Sequence, residues 1–230
     1  MKHLIIVLIS VGIWSCKGQS EQKLNGVVNE IAGKTTLLNQ SEIAKLDSVN
    51  INFQFSGDCY AYSSLKNAIA SNGEAQSDNL PKNVDKSFPR EGFYLVINQN
   101  ELSKIDSSIL GCKLYLVNTT DSLIKFRASD SRLNIVAEAL NDKYEWTEIS
   151  YLPISHCGNS YHTVILDKDE YWSFDVPVFK GKIKTKLRYT LTIGENKKIS
   201  SNEIVTYLNE GQFDIKNQEE YRNNNILNTY

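Results

Sequence analysis

Histidine is scarce in this chain, with three in 230 residues, and cysteine is nearly as scarce, with four. No Cys-x-x-Cys pair occurs, which removes the usual zinc-ribbon and thioredoxin arrangements. A basic excess is also missing: 25 lysines and arginines stand against 27 acidic residues, for a net charge of −2. Without a basic surplus there is no overall field to attract nucleic acid, and none is expected as a partner. No apolar run is long enough to cross a bilayer as a mature helix. The phosphate-binding loop, the glycine-rich dinucleotide turn, the His-Glu-x-x-His helix and the nucleophile elbow are all absent. No cofactor is expected. What remains is an ordinary globular composition, 41% hydrophobic and 23% charged, long enough for one sizeable core or two small ones.

The pattern that is present belongs to strands. From Lys113 onward, short apolar or alternating runs recur about every ten residues with turn formers between them. "KLYLVN", "LIKFRA", "LNIVAEAL" and "WTEISYL" are separated by "TTDS", "SDSR" and "NDKYE"; "HTVILD", "DEYWSFDV", "KIKTKLRYTLTI" and "NEIVTYL" follow. No segment sustains a helical period. This spacing predicts a mainly β protein, an antiparallel β-sandwich of immunoglobulin-like architecture over residues 110–215. Pro177 and the Lys180-Gly181 break predict a bend or a switch between sheets, because proline cannot donate to a central ladder. Upstream, residues 49–109 form a smaller, partly ordered segment that adds strands. "VNINFQF" alternates as a strand does, and residues 72–92 read as an exposed loop. The asparagine-rich stretch 216–230 is expected to be a loosely ordered tail or a short docked segment.

The first residues carry a different signal. Lys2 and His3 precede an apolar run from Leu4 to Ile13, which ends in Ile13-Trp14-Ser15-Cys16. That ending resembles the lipobox of bacterial lipoprotein precursors: an aliphatic residue, a small residue in the last place, then cysteine. The resemblance implies a signal peptide over 1–15, lipidation of Cys16 as the mature N-terminus, and a polar tether over 16–48. Several acyl chains, each contributing roughly 0.8 kcal/mol per buried methylene, would anchor the protein firmly to a membrane. Lys17 stands where an inner-membrane retention signal would place aspartate, which favours the outer membrane of the bacterial cell envelope. Three thiols are then left, Cys59, Cys112 and Cys157, enough for one disulfide in an oxidising compartment. Cys112 and Cys157 fall in one predicted domain and are the expected pair.

Chemistry has few places to reside. In "ISHCGNSYHT", Cys157 lies between His156 and His162, the residue types of a thiolate-imidazole dyad or of a metal site. The dyad needs the cysteine positioned beside the imidazole, commonly at a helix start. Here "GNS" is turn chemistry and "YHTVIL" strand chemistry. Cys157 and His162 are therefore the catalytic candidates, against the competing expectation of a turn between strands. No metal site is expected, since no second cluster completes a shell.

A second pattern is sharper. Lys180, Lys182, Lys184, Lys186 and Arg188 occupy every second position, with Ile183, Thr185, Leu187 and Tyr189 between them. On a strand this places the cations on one face and the apolar set on the core side. Such a row serves either as a solvated, aggregation-resistant face or as a surface for an acidic glycan, a lipid phosphate or an acidic protein. Among the aromatics, Trp172 and Phe174 read as core, while Tyr171 and Trp146 are candidate surface platforms for stacking. Glu138, Glu145 and Glu148 do not pair into an acid and base. Together these features point to a lipid-anchored, non-catalytic binding or structural module presenting a basic face. The alternatives are a Cys157-dependent envelope hydrolase or transferase and an inhibitor or immunity-type lipoprotein.

Overall fold

A computed structural model of the chain describes residues 38–64, 77–85, 87–88, 92–155, 160–195 and 197–218. Its strands in chain order are β1 (Phe55–Ser56), β2 (Lys82–Asn83), β3 (Phe93–Lys104), β4 (Leu110–Asn118), β5 (Ile124–Ser129), β6 (Ile135–Leu140) and β7 (Trp146–Glu148). There follow β8 (Ser150–Tyr151), β9 (Tyr161–Leu166), β10 (Glu170–Pro177), β11 (Ile183–Ile193), β12 (Lys197–Ser200) and β13 (Ile204–Leu208). The protein is mainly β, as its spacing predicts.

Two antiparallel sheets carry the architecture. One runs β2-β10-β4-β3; the other runs β12-β11-β6-β7, with β13 pairing the first half of β11. Their inner faces share one core: Leu95, Ile97, Leu114, Leu116, Trp172 and Phe174 from the first sheet meet Ile135, Ala137, Leu187 and Leu191 from the second. This arrangement is compatible with an immunoglobulin-like sandwich. The antiparallel β5-β9 pair closes one end by placing Phe126 edge-on to Trp172 at 5.6 Å. The first sheet is covered on its other face too, where Phe88 packs on Tyr115 and Tyr171. That double cover explains why "LYLV" in β4 is an unbroken apolar run, as sheets buried on both faces are.

The stretch 49–109 joins the same core. Val49, Ile51 and Phe55 are buried within it, and β3 pairs with β4. The strand expected over 49–55 is nevertheless not continuous: Val49 and Gln54 make isolated bridges, and only Phe55 and Ser56 form a strand. Side chains near residues 209–217 have taken the intervening backbone. Asn209 donates to the Ile51 carbonyl at 2.8 Å and Asn217 to the Asn52 carbonyl at 2.7 Å, and a ladder would need those groups. "WTEISYL" likewise divides. β7 pairs with β6, whereas β8 pairs in parallel with β1. The end of the predicted tether is structured as well: a capping box at Asn39 starts a short helix, α1 (Gln40–Ile43), and Asp47 bridges to Ile109.

The predicted switch between sheets occurs where expected. β10 ends at Pro177 in the first sheet and β11 begins at Ile183 in the second. Gly181 makes the crossing possible, because a Cβ there would stand 2.3 Å from the Leu208 carbonyl carbon. At the far edge of the first sheet, Asn202 clamps β3. Its side-chain oxygen accepts from the Ile97 N–H at 2.8 Å, and its amide nitrogen donates to the Ile97 carbonyl at 3.1 Å.

Candidate binding site

β10 pairs with β4 along its whole length on one side, but with β2 only at Glu170 and Tyr171 on the other. Beyond Tyr171, no described strand lies along that second edge. Ser173 to Pro177 there line a cleft of about 860 Å³, which Phe55 to Tyr60, Arg132 and Tyr189 also line. This volume is ordinary for a small-molecule site. Asn79 spans one end, its side-chain amide donating to the carbonyls of Tyr60 at 2.9 Å and Ser173 at 3.1 Å. Pro177 suits such an edge, having no N–H to leave unpaired.

The polar part of the lining is built on a tight hairpin. Asp130 and Ser131 both have positive φ, 50° and 64°, between the mutually bonded Ser129 and Arg132. This is the primed two-residue turn that matches strand twist. It aims Arg132 at Tyr60 and Asp58. The Arg132 Nη2 donates to the Tyr60 hydroxyl at 2.6 Å, and the guanidinium lies 5.1 Å over the Tyr60 ring. Its Nε lies 3.8 Å from the Asp58 carboxylate, too far for a hydrogen bond, and this buried N–H has no acceptor among the described residues. Burial raises the Asp58 carboxyl above its ordinary range, against the opposing pull of Arg132 and Ser56.

Tyr189 from β11 completes the set. It is 3% exposed and lines the cleft, and its hydroxyl has no hydrogen-bond partner among the described residues. Burial, with the neighbouring thiols of Cys112 and Cys59, pushes its pKa well up. Burial also holds both thiols protonated, with Cys112 pushed up to about 12 and Cys59 higher still. A protonated thiol is a poor nucleophile. The cleft thus offers donors, two carboxylates and apolar walls, which is the chemistry of binding.

The residues singled out from the sequence fall elsewhere. His156, Cys157 and Cys16 lie outside the described residues. His162 is 6% exposed, with Nε2 3.3 Å from the Ser131 hydroxyl and Nδ1 3.2 Å from the Ser160 carbonyl. Both ring nitrogens are thereby engaged in holding the hairpin. Of the expected Cys112–Cys157 pair, Cys112 is a free thiol packed in the core between the sheets, and Cys157 lies outside the described residues. Among the described residues, no group of three or more His, Cys, Asp or Glu could hold a metal ion.

Of the basic row, Lys184, Lys186 and Arg188 alternate outward on β11 while Leu187 and Tyr189 face inward. Two of its charges are neutralised. Lys186 pairs with Glu203 at 2.7 Å, and Arg188 pairs with Glu138 at 2.7 Å while stacking 4.1 Å over Trp146. Trp146 is therefore covered by a cation rather than free to stack. Tyr171, the other candidate platform, is buried against Phe88 and Tyr115. Lys180, Lys182 and Lys184 are exposed and make no ion pair with any described residue.

Sequence reading did not find Asp58, Tyr60, Arg132 or Tyr189 as a site. They come from separate stretches, and no spacing rule joins them. The one local signal was "SDSR", legible as a turn but not as the mount for a guanidinium. Comparison of the chain with known protein families, with curated proteins and with solved structures found no match.

Proposed function

We propose that this is a lipid-anchored envelope protein, held at the outer membrane through Cys16, whose β-domain binds a small amphipathic ligand in the cleft beside β10 without transforming it. The observation that carries the reading is the cleft of about 860 Å³ itself, which the polar Asp58, Tyr60 and Arg132 line beside the apolar Phe55, Phe174 and Val176. The absence of an activated nucleophile among the described cleft residues supports binding over reaction, since the Cys59 thiol is held protonated.

The test is a fragment screen by ligand-observed NMR on the full-length protein, repeated on Tyr189→Phe and Arg132→Gln. Fragments that bind the wild type and lose binding in the folded variants support the reading; fragments indifferent to both substitutions, or none at all, overturn it. For the anchor, labelled palmitate should enter the wild type and not Cys16→Ser. Label retained in Cys16→Ser would remove the lipobox reading.

A second reading concerns the row's free end. Lys180, Lys182 and Lys184, exposed and without ion pairs among the described residues, form a surface for an anionic glycan, lipid or acidic partner. Reversing the three to glutamate should abolish salt-sensitive retention on anionic vesicles. Unchanged retention counts against the reading.

A further inference from the structure

Exposed apolar side chains are not spread evenly over this molecule. Among the described residues nine large ones are exposed, and four of them, Tyr144, Ile183, Val205 and Tyr207, gather at one end of the second sheet. The strand pairing brings them there. Ile183 stands at the start of β11, and Tyr207 and Val205 of β13 stand directly opposite Lys184 and Lys186. Directly opposed residues of an antiparallel pair share a face. β13 therefore turns Val205 and Tyr207 outward, 55% and 46% exposed, beside the lysines, while Thr206 and Leu208 are buried. On the other side of β11, the Thr185 hydroxyl donates to the Leu140 carbonyl at 2.7 Å, which seats the β6-β7 turn beside the same end. Tyr144 stands in that turn with a positive φ of 62° and is 86% exposed.

The same end holds the cations that pairing leaves over. Lys180, Lys182 and Lys184 are exposed and without ion pairs among the described residues, and the chain has no acidic residue between Asp175 and Glu195. Acidic groups stand farther out, Asp142 and Glu145 in the turn with Lys143, and Glu210 after β13. The positive surplus is thus local to the start of β11, with an exposed tyrosine on each side of it.

An acidic glycan would meet the lysines alone and leave Val205, Ile183 and the two rings in water. Protein interfaces are depleted in lysine at their core. An anionic bilayer surface meets both sets together. Its headgroups attract compact ammonium groups without needing bidentate geometry. Tyrosine is enriched at the headgroup level, where its ring faces the acyl chains and its hydroxyl faces water. We infer that this end of the second sheet docks on an anionic lipid bilayer, with the three lysines on the headgroups and Tyr144 and Tyr207 set into the interfacial layer. This rests on the reading of those lysines as a surface for an anionic ligand, and it is independent of the cleft.

Hydroxyl-radical footprinting of the full-length protein, mapped by mass spectrometry, reads the contact residue by residue. Tyr161 is the internal reference: it is 40% exposed and shares a hollow with Thr192 and Ile193, at the opposite end of β11. Vesicles of phosphatidylglycerol should lower the labelling of Tyr144 and Tyr207 severalfold relative to Tyr161. Vesicles of phosphatidylcholine should not, because only the first carry net negative charge. Reversing Lys180, Lys182 and Lys184 to glutamate should restore the labelling on phosphatidylglycerol. Labelling unchanged by phosphatidylglycerol, or lowered as much by phosphatidylcholine, would overturn the inference. Equal protection by soluble heparin or polyglutamate would overturn it too, while leaving the basic surface standing for a glycan or an acidic protein. Protection that survives the lysine reversal would remove the basic surface along with the inference.

Discussion

Asp58 sits where burial and its neighbours pull in opposite directions, and the net effect is a raised pKa. A carboxyl with a raised folded pKa holds its proton more tightly folded than unfolded. Its contribution to stability is then fully present below the unfolded value of 3.8 and is lost as pH rises through the folded one. Urea denaturation at several pH values should therefore show the wild type losing stability relative to Asp58→Asn as pH rises above 3.8. A difference that grows in the other direction would mean that attraction to Arg132 outweighs burial. The thiols give a second expectation at this scale. Cys59 and Cys112 are 5% and 1% exposed and held protonated, so iodoacetamide at neutral pH should leave both unmodified in the native protein and label both in urea. Mass-spectrometric mapping checks this and reports on Cys157 in the same run. None of these environments was legible in the sequence. The thiols, Asp58 and Tyr189 come together only when β11 is laid across Phe55 to Tyr60, a contact no local pattern encodes.

On β11 the alternation of cations was legible and correct, because the side-chain period of a strand is fixed. What each cation meets was not. Lys186 and Glu203 are both exposed, at 56% and 42%, whereas Arg188 and Glu138 are 25% and 10% exposed, and Glu138 also accepts from Thr190 at 2.7 Å. Lys186→Ala should cost no more than about 0.5 kcal/mol, the usual worth of an exposed pair. Arg188→Ala should cost about 2 kcal/mol, since it strands a nearly buried carboxylate and uncovers Trp146. Chemical denaturation of the two variants checks the ordering. The sheet switch was also legible, from Pro177 and Gly181. Its tightness makes Gly181→Ala costly, about 2 kcal/mol of overpacking against Leu208 that shows as a lowered thermal midpoint. Less legible were 49–55 and 146–152, where the apolar alternation was right but the pairing was decided by distant asparagines and by β1.

For the molecule as a whole, the two sheets share one core, and the first is also covered on its outer face by Phe88 and its neighbours. β4 therefore has both faces buried and a strand on each side. Local opening should be hardest there, so amide hydrogen exchange should be slowest in β4 and the adjoining part of β10, and fast in β12, whose residues are exposed or half-buried. Exchange in β12 as slow as in β4 would contradict this layering. The fold class was legible because strand spacing survives every detail of packing. The partition into layers was not, because it depends on which of two faces each apolar set meets. One small device acts at this scale too. β3 is the outermost strand of its sheet, and an unoccupied outer strand is a template on which another chain can add itself. The clamp of Asn202 on both polar groups of Ile97 removes one such rung at the middle of that template. Wherever copies of the chain crowd together, it is a brake on sheet-to-sheet polymerisation built from a single side chain.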